Sequence, residues 1–103
     1  MAVRFVIPAY LRTFTSGRSE IELEASGDLR DVGAALDALW AAHPGVRDRV
    51  LTETGEVRPH VNVFVDGESI RYTGGLATPV RANAEIAIVP AVSGGSIMKT
   101  FSS

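Results

Sequence analysis

The chain has 103 residues, 46% of them apolar, which is enough for one domain with a single core and no disulfide or structural metal to hold it. Ten basic residues against twelve acidic ones leave a net charge of −2, which argues against nucleic acid as a partner because phosphate binding needs concentrated positive charge. The chain has no cysteine, which excludes disulfides, thiolate metal sites and cysteine nucleophiles, and no apolar run that approaches the roughly 20 residues of a membrane span.

Val3, Phe5 and Ile7 alternate with Arg4 and Val6, and Pro8 follows, so the first element is a half-buried strand closed by proline. Residues 13–19 are polar around Gly17 and suit a turn. Ile21 and Leu23 alternate with Glu20, Glu22 and Glu24, a second strand that forms a hairpin with the first. The period then changes. Ser26 or Asp28 caps a helix whose apolar face is Leu29, Val32, Leu36, Leu39 and Trp40, with Gly33 and the alanines making the opposite side small. His43-Pro44-Gly45 ends it, because the residue before a proline disfavours the helical region. Residues 46–51 form one further helical turn, and residues 52–59 read as a loop.

Val61, Val63 and Val65 alternate with Asn62, Phe64 and Asp66, a third strand that Asp66-Gly67 turns into a hairpin. Ile70 and Tyr72 continue as a short fourth strand. Residues 73–79, with Gly74-Gly75, form a turn-rich link. Residues 85–89 form the last strand, with Ile86 and Ile88 on one face and Pro90 at its end. Residues 91–103 show no periodicity and are expected to be flexible. The order strand, strand, helix, strand, short strand, strand makes an α+β fold, one main helix packed across a mixed sheet. The domain runs over 1–90, with a tail at 91–95 and an extension at 96–103.

No enzymatic constellation stands out. His43 and His60 are the two histidines and read as structural or solvated, so no metal site is expected. Asp28, Asp31 and Asp37 read as cap, dipole and surface charges. The N-terminus lacks a secretory pattern, so a cytoplasmic location is expected. Strand parity puts Val6, Phe64, Ala87 and Val89 on the face away from the core, a candidate partner interface. The segment that runs from Ile86 through Pro90 to Gly94-Gly95 is the other candidate, because glycine has no side chain and two in a row can thread a narrow tunnel.

Val3-Arg4-Phe5-Val6-Ile7-Pro8, Val61-Asn62-Val63-Phe64-Val65-Asp66, Ile70-Arg71-Tyr72-Thr73-Gly74-Gly75-Leu76-Ala77-Thr78 and the stretch from Ile86 to Gly95 together resemble the MoaD/ThiS family of ubiquitin-like sulfur carriers. The third motif most resembles the branch that carries sulfur for cysteine synthesis in actinobacteria. The resemblance implies a β-grasp fold, with Gly95 at the position of the family's terminal glycine and Gly94 before it. It implies that an adenylating, ubiquitin-activating-like enzyme uses ATP to activate the Gly95 carboxylate, which a sulfur donor converts to a thiocarboxylate. The carrier itself is then no enzyme and holds no permanent cofactor. A biosynthetic enzyme such as a cysteine synthase receives the sulfur; molybdopterin, thiamin or a secondary metabolite are further destinations.

This chain departs from the family by continuing past Gly95 through Ser96, Ile97, Met98, Lys99 and Phe101. With a peptide bond at Gly95–Ser96 there is no carboxylate to activate. Three readings stand: a pro-segment removed at that junction by a zinc metalloprotease of the JAMM type, a stretch added artificially, or a permanent tail that makes the protein a non-catalytic binding module. A ubiquitin-like protein modifier joined through Gly95 is the remaining alternative.

Overall fold

The computed structural model describes residues 2–24 and 30–90. The first strand, β1, spans Ala2–Val6, and its alternation is realised as read: Val3 and Phe5 are fully buried and Arg4 is exposed. Ile7 is buried as well, and Pro8 then opens a turn of 3-10 helix over Ala9–Thr15. That helix takes up residues 13–15, the first part of the polar turn expected at residues 13–19. It forms because Leu11 and Thr15 are buried, and the Thr15 hydroxyl bridges the carbonyls of Arg12 (3.2 Å) and Arg18 (2.9 Å). The turn itself is confined to Ser16 and Gly17, both with positive φ. Strand β2, Glu20–Glu24, returns antiparallel to β1 with Phe5 opposite Ile21.

Helix α1 spans Val32–Ala42, and its cap is Asp31, whose carboxylate accepts from the Ala34 amide at 2.8 Å. Ser26 and Asp28, expected as caps, lie with Leu29 among residues 25–29, outside the described residues. The helix starts later because residues 78–80 are tied to its first turn: the Val32 amide donates to the Thr78 carbonyl, and the Val80 amide donates to the Arg30 carbonyl, each at 3.0 Å. Val32, Leu36, Leu39 and Trp40 are buried as expected, but so is Ala35, which extends the buried face beyond the large side chains. Gly33 packs near Leu76, whose carbonyl oxygen would stand 3.4 Å from a Cβ there, about ordinary contact distance. His43 caps the end of α1, and Pro44 opens α2, Pro44–Val50, a true helix that buries Val46 and Val50.

Strand β3, Val61–Val65, is followed by a tight turn with Asp66 and Gly67 both at positive φ, the geometry a two-residue hairpin needs. Strand β4 is only Glu68–Ser69. Ile70 and Tyr72 do not continue it. Ile70–Tyr72 is a 3-10 turn in which the Ser69 hydroxyl caps the Arg71 amide, Ile70 turns into the core at 3% exposure and Tyr72 turns out at 88%. Gly74 and Gly75 take positive φ where the chain turns into a third 3-10 segment, Gly75–Ala77, in keeping with the turn-rich link expected at residues 73–79. Strand β5, Ala84–Pro90, closes the sheet in the order β2-β1-β5-β3-β4, with β1 and β5 parallel at its centre. This mixed five-stranded sheet with helices on one face is the β-grasp arrangement. Its core joins Phe5, Ile7, Ile86, Ile88 and the β3 valines to Leu36 and Leu39 of α1. Each such large side chain is worth about 1.5–3 kcal/mol by burial. Among the described residues no helix is long and apolar enough to cross a membrane.

Candidate functional site

The residues that alternate with the core residues meet on the opposite face of the sheet. Register puts Val6 of β1 opposite Ala87 of β5, and Ala87 opposite Phe64 of β3. The three side chains therefore form one row across the three central strands, and each is half-buried. Val89 lies two residues further along β5, opposite Asn62, and is 37% exposed. The four residues expected to form a partner interface thus share one face.

A charged row borders the apolar one. Glu22, Arg4 and Glu85 sit in register across β2, β1 and β5. The Arg4 guanidinium meets the Glu85 carboxylate at 2.6 Å, and this hydrogen bond, with the attraction of Glu85, Glu20 and Glu22, raises the Arg4 pKa. Asp66 braces the same place, its carboxylate accepting from the Glu85 amide at 3.0 Å. Such a polar border sets the register of a docking partner more than its affinity. Alternation read from sequence puts Arg4 and Glu85 on the outer face but does not pair them, because their contact depends on β1 and β5 becoming neighbours from opposite ends of the chain.

Ala87 and Val89 carry the apolar stripe along β5 to its last residue, Pro90. Pro90 pairs with Val61, which places His60 at the same end of the sheet. There His60 helps to line a hollow of about 600 Å³ with Tyr10, Phe14, Arg49 and Arg58. The Arg49 guanidinium lies 4.8 Å from the centre of the Phe14 ring, and Arg58 donates to the Asp48 carbonyl at 2.8 Å. Burial raises the Tyr10 pKa by disfavouring the phenolate. Sequence reading missed this hollow; the spacing of Tyr10 and Phe14, four apart on a helical turn, was its available signal. His43 caps α1, and among the described residues no three metal-ligating side chains come together. Gly94, Gly95 and Ser96 lie outside the described residues, as do the tail at 91–95 and the extension at 96–103.

A model of the ThiS family matches residues 5–95, so the match ends at the second glycine. The chain is 36% identical over 97 residues to the sulfur carrier protein CysO of Mycobacterium tuberculosis, covering 92% of this chain and 100% of that protein. It is 39% identical over 80 residues to small archaeal modifier protein 1 of Haloferax volcanii, covering 78% of this chain and 86% of that one. Among solved structures, a chain of the BexX/CysO complex of Amycolatopsis orientalis superposes with a TM-score of 0.77 at 34% identity, covering 90% of this chain and 99% of that chain.

Proposed function

The chain belongs to the ThiS family of ubiquitin-like sulfur carriers, and we propose that it works as a precursor whose Gly95 carboxylate, once freed, carries sulfur for biosynthesis. The observation that carries this reading is where the family match stops: at Gly95, with Ser96 and the rest of the extension beyond it. Hydrolysis of the Gly95–Ser96 bond by a JAMM-type zinc metalloprotease frees the carboxylate and the Ser96 amine. A carboxylate is a poor electrophile, so activation comes next. A carboxylate oxygen attacks the α-phosphorus of ATP, held by a partner adenylating enzyme, and pyrophosphate leaves. A sulfide-level sulfur then attacks the acyl carbon, and AMP leaves. The product is a thiocarboxylate, nucleophilic at sulfur. The absence of cysteine agrees with sulfur riding on the main chain.

The chain's own contributions are two. Gly94 and Gly95 have no side chains to obstruct a tunnel. The stripe of Val6, Ala87, Phe64 and Val89 offers an apolar face that leads into the tail, so a partner enclosing the tail meets that face first. That a CysO is found in complex with BexX supports a carrier that works by docking onto a partner protein. The likeness to mycobacterial CysO supports cysteine synthesis as the destination, with a cysteine synthase as acceptor.

A second reading has its own support in the modifier protein from Haloferax: isopeptide linkage of Gly95 to lysines of other proteins. One experiment separates these readings from each other and from a non-catalytic module. The chain ending at Gly95 and the full chain are compared in ATP–pyrophosphate exchange with the adenylating enzyme of the source organism. Exchange is expected for the shortened chain alone. A mass gain corresponding to oxygen replaced by sulfur supports the carrier, isopeptide adducts support the modifier, and absence of exchange with both chains overturns both.

A further inference from the structure

The steps above give no role to the hollow of about 600 Å³ between the 3-10 helix Ala9–Thr15 and α2. Tyr10 and Phe14 come from the first, Asp48 and Arg49 from the second, and Arg58 and His60 from the link into β3. Its charges are not balanced from within. Of the described residues that line it, Asp48 is the one acid, and the Arg47 guanidinium meets its carboxylate at 3.2 Å. Arg49 and Arg58 meet no carboxylate among the described residues. The charged row on the sheet differs, because there Glu85 pairs with Arg4 and Glu20 and Glu22 add to the match.

We propose that this hollow is a second docking point, which receives an acidic side chain of the partner protein that takes up the Gly94-Gly95 tail. That such a partner exists rests on the reading above; that the hollow takes a carboxylate does not. Three observations carry the assignment. The first is the surplus of cation. Two arginines against one engaged carboxylate leave local positive charge in a chain of net charge −2, so an acidic group is drawn to this place and not to the surface at large.

The second is that the cations are held ready. The Arg49 guanidinium lies over the Phe14 ring, which steadies it. The ring has its place because residue 45 is glycine: a Cβ there would stand 2.9 Å from Phe14 Cδ1. Arg58 donates from Nε to the Asp48 carbonyl, and no described hydrogen bond uses its terminal nitrogens. A guanidinium fixed at one nitrogen gives up less freedom when the others meet a carboxylate.

The third is exposure and place. Tyr10 is 47% exposed, and Arg49 and His60 are exposed as well. A small molecule here would stay largely in water, whereas dedicated small-molecule sites cover roughly 70% or more of their ligand. A side chain presented by a protein surface suits so open a site, and tyrosine and arginine are residue types that anchor such contacts. His60 precedes Val61, the register partner of Pro90. Gly95 is five residues past Pro90, so the covalent chain holds it within about 18 Å of that end of the sheet. A protein that grips Gly95 therefore has the hollow within reach.

The test has two arms. In the first, the 15N-labelled full chain is titrated with an acetylated tetraglutamate peptide. Amide shifts are expected at Tyr10, Phe14, Arg49, Arg58 and His60, and they should shrink as salt is added. Arg49→Gln, which removes an exposed side chain, should weaken the peptide about threefold to tenfold, and Arg49→Lys, which keeps the charge, should retain most of the affinity. Silent amides in the hollow overturn the proposal, and so do equal shifts with an acetylated tetralysine peptide. Phosphate that moves the same amides as strongly at equal ionic strength also overturns it, and assigns the hollow to a small anion. In the second arm, ATP–pyrophosphate exchange is followed with the adenylating enzyme of the source organism. Arg49→Gln in the chain ending at Gly95 should raise the KM for the carrier about tenfold and leave kcat unchanged. An unchanged KM overturns the docking role. The peptide arm contains no activating enzyme, so failure of exchange in the unaltered chain strikes the sulfur reading, and failure of the peptide strikes the hollow.

Discussion

Phe64 of β3 stands directly opposite Ala87 of β5, whose other neighbour across the sheet is Val6. The small Ala87 side chain leaves the Phe64 ring bordered on that side by little bulk, and the ring remains half-buried on the face away from the core. Phe64→Asp is therefore expected to leave the fold intact, because no core contact is lost. Binding to the cognate adenylating enzyme should weaken about tenfold or more, about 1.4 kcal/mol, as for a central aromatic of an interface. Calorimetric titration of the chain ending at Gly95 measures it. Unchanged affinity in the variant would move the docking surface off this face.

Adjacent positions of β5 should respond in opposite ways. Ile86 is fully buried and Ala87 lies on the other face, as does Val89. Ile86→Ala should cost about 2–5 kcal/mol through lost burial and the cavity it leaves. Val89→Ala should stay within about 0.5 kcal/mol. Urea denaturation of both variants checks the pair; a large loss at Val89 would contradict the assigned face.

Asp31→Ala removes the carboxylate that accepts from the Ala34 amide at 2.8 Å. The expected cost is about 1 kcal/mol, seen as a fall in Tm of about 4–8 °C. Asp31→Asn should recover most of it, since an amide oxygen can also cap. Thermal melts followed by circular dichroism decide, and an unaffected Asp31→Ala melt would relocate the cap.

Tyr10 is held by burial above its ordinary pKa of 10.0. A raised value means that the folded state binds the phenolic proton more tightly than the unfolded chain does. Its contribution to stability is complete below the ordinary value and is lost as pH rises through the higher folded one. Phenolate absorbance should therefore show one tyrosine titrating late, and Tyr10→Phe should remove that component and flatten the alkaline fall in stability. A late component that survives in Tyr10→Phe would contradict this assignment.

Much of the fold was legible because it rests on local periodicity. Val3, Phe5 and Ile7, the β3 valines, and Ile86 with Ile88 announce strands by period two, and their burial follows. Asp66-Gly67 announces its turn because few residue pairs tolerate two positive φ values in a row. The errors fall where a distant partner overrides a local pattern. Ile70 and Tyr72 keep the alternation of a strand, yet the Ser69 cap and the burial of Ile70 bend the backbone into a 3-10 turn. Asp31 prevails as the cap because residues 78–80, nearly fifty positions later, pin the start of α1. Residues 13–15 read as the start of a polar turn, yet they end a 3-10 helix, Ala9–Thr15, that buries Leu11 and Thr15.

The candidate site divides along the same line. Composition, parity and the Gly94-Gly95 pair belong to the sequence: a cysteine-free chain, an outward apolar set and a pair of glycines where the family match ends. These are properties of neighbouring residues, and a linear chain states them directly. Which outward residues touch was left to the tertiary structure. The parallel pairing of β1 with β5 joins residues some eighty positions apart, sets Val6 beside Ala87 and Arg4 beside Glu85, and turns scattered side chains into an apolar row with a charged border. Pairing between distant strands is chosen by the helices and turns that must pack over them, and no local window of sequence contains that choice.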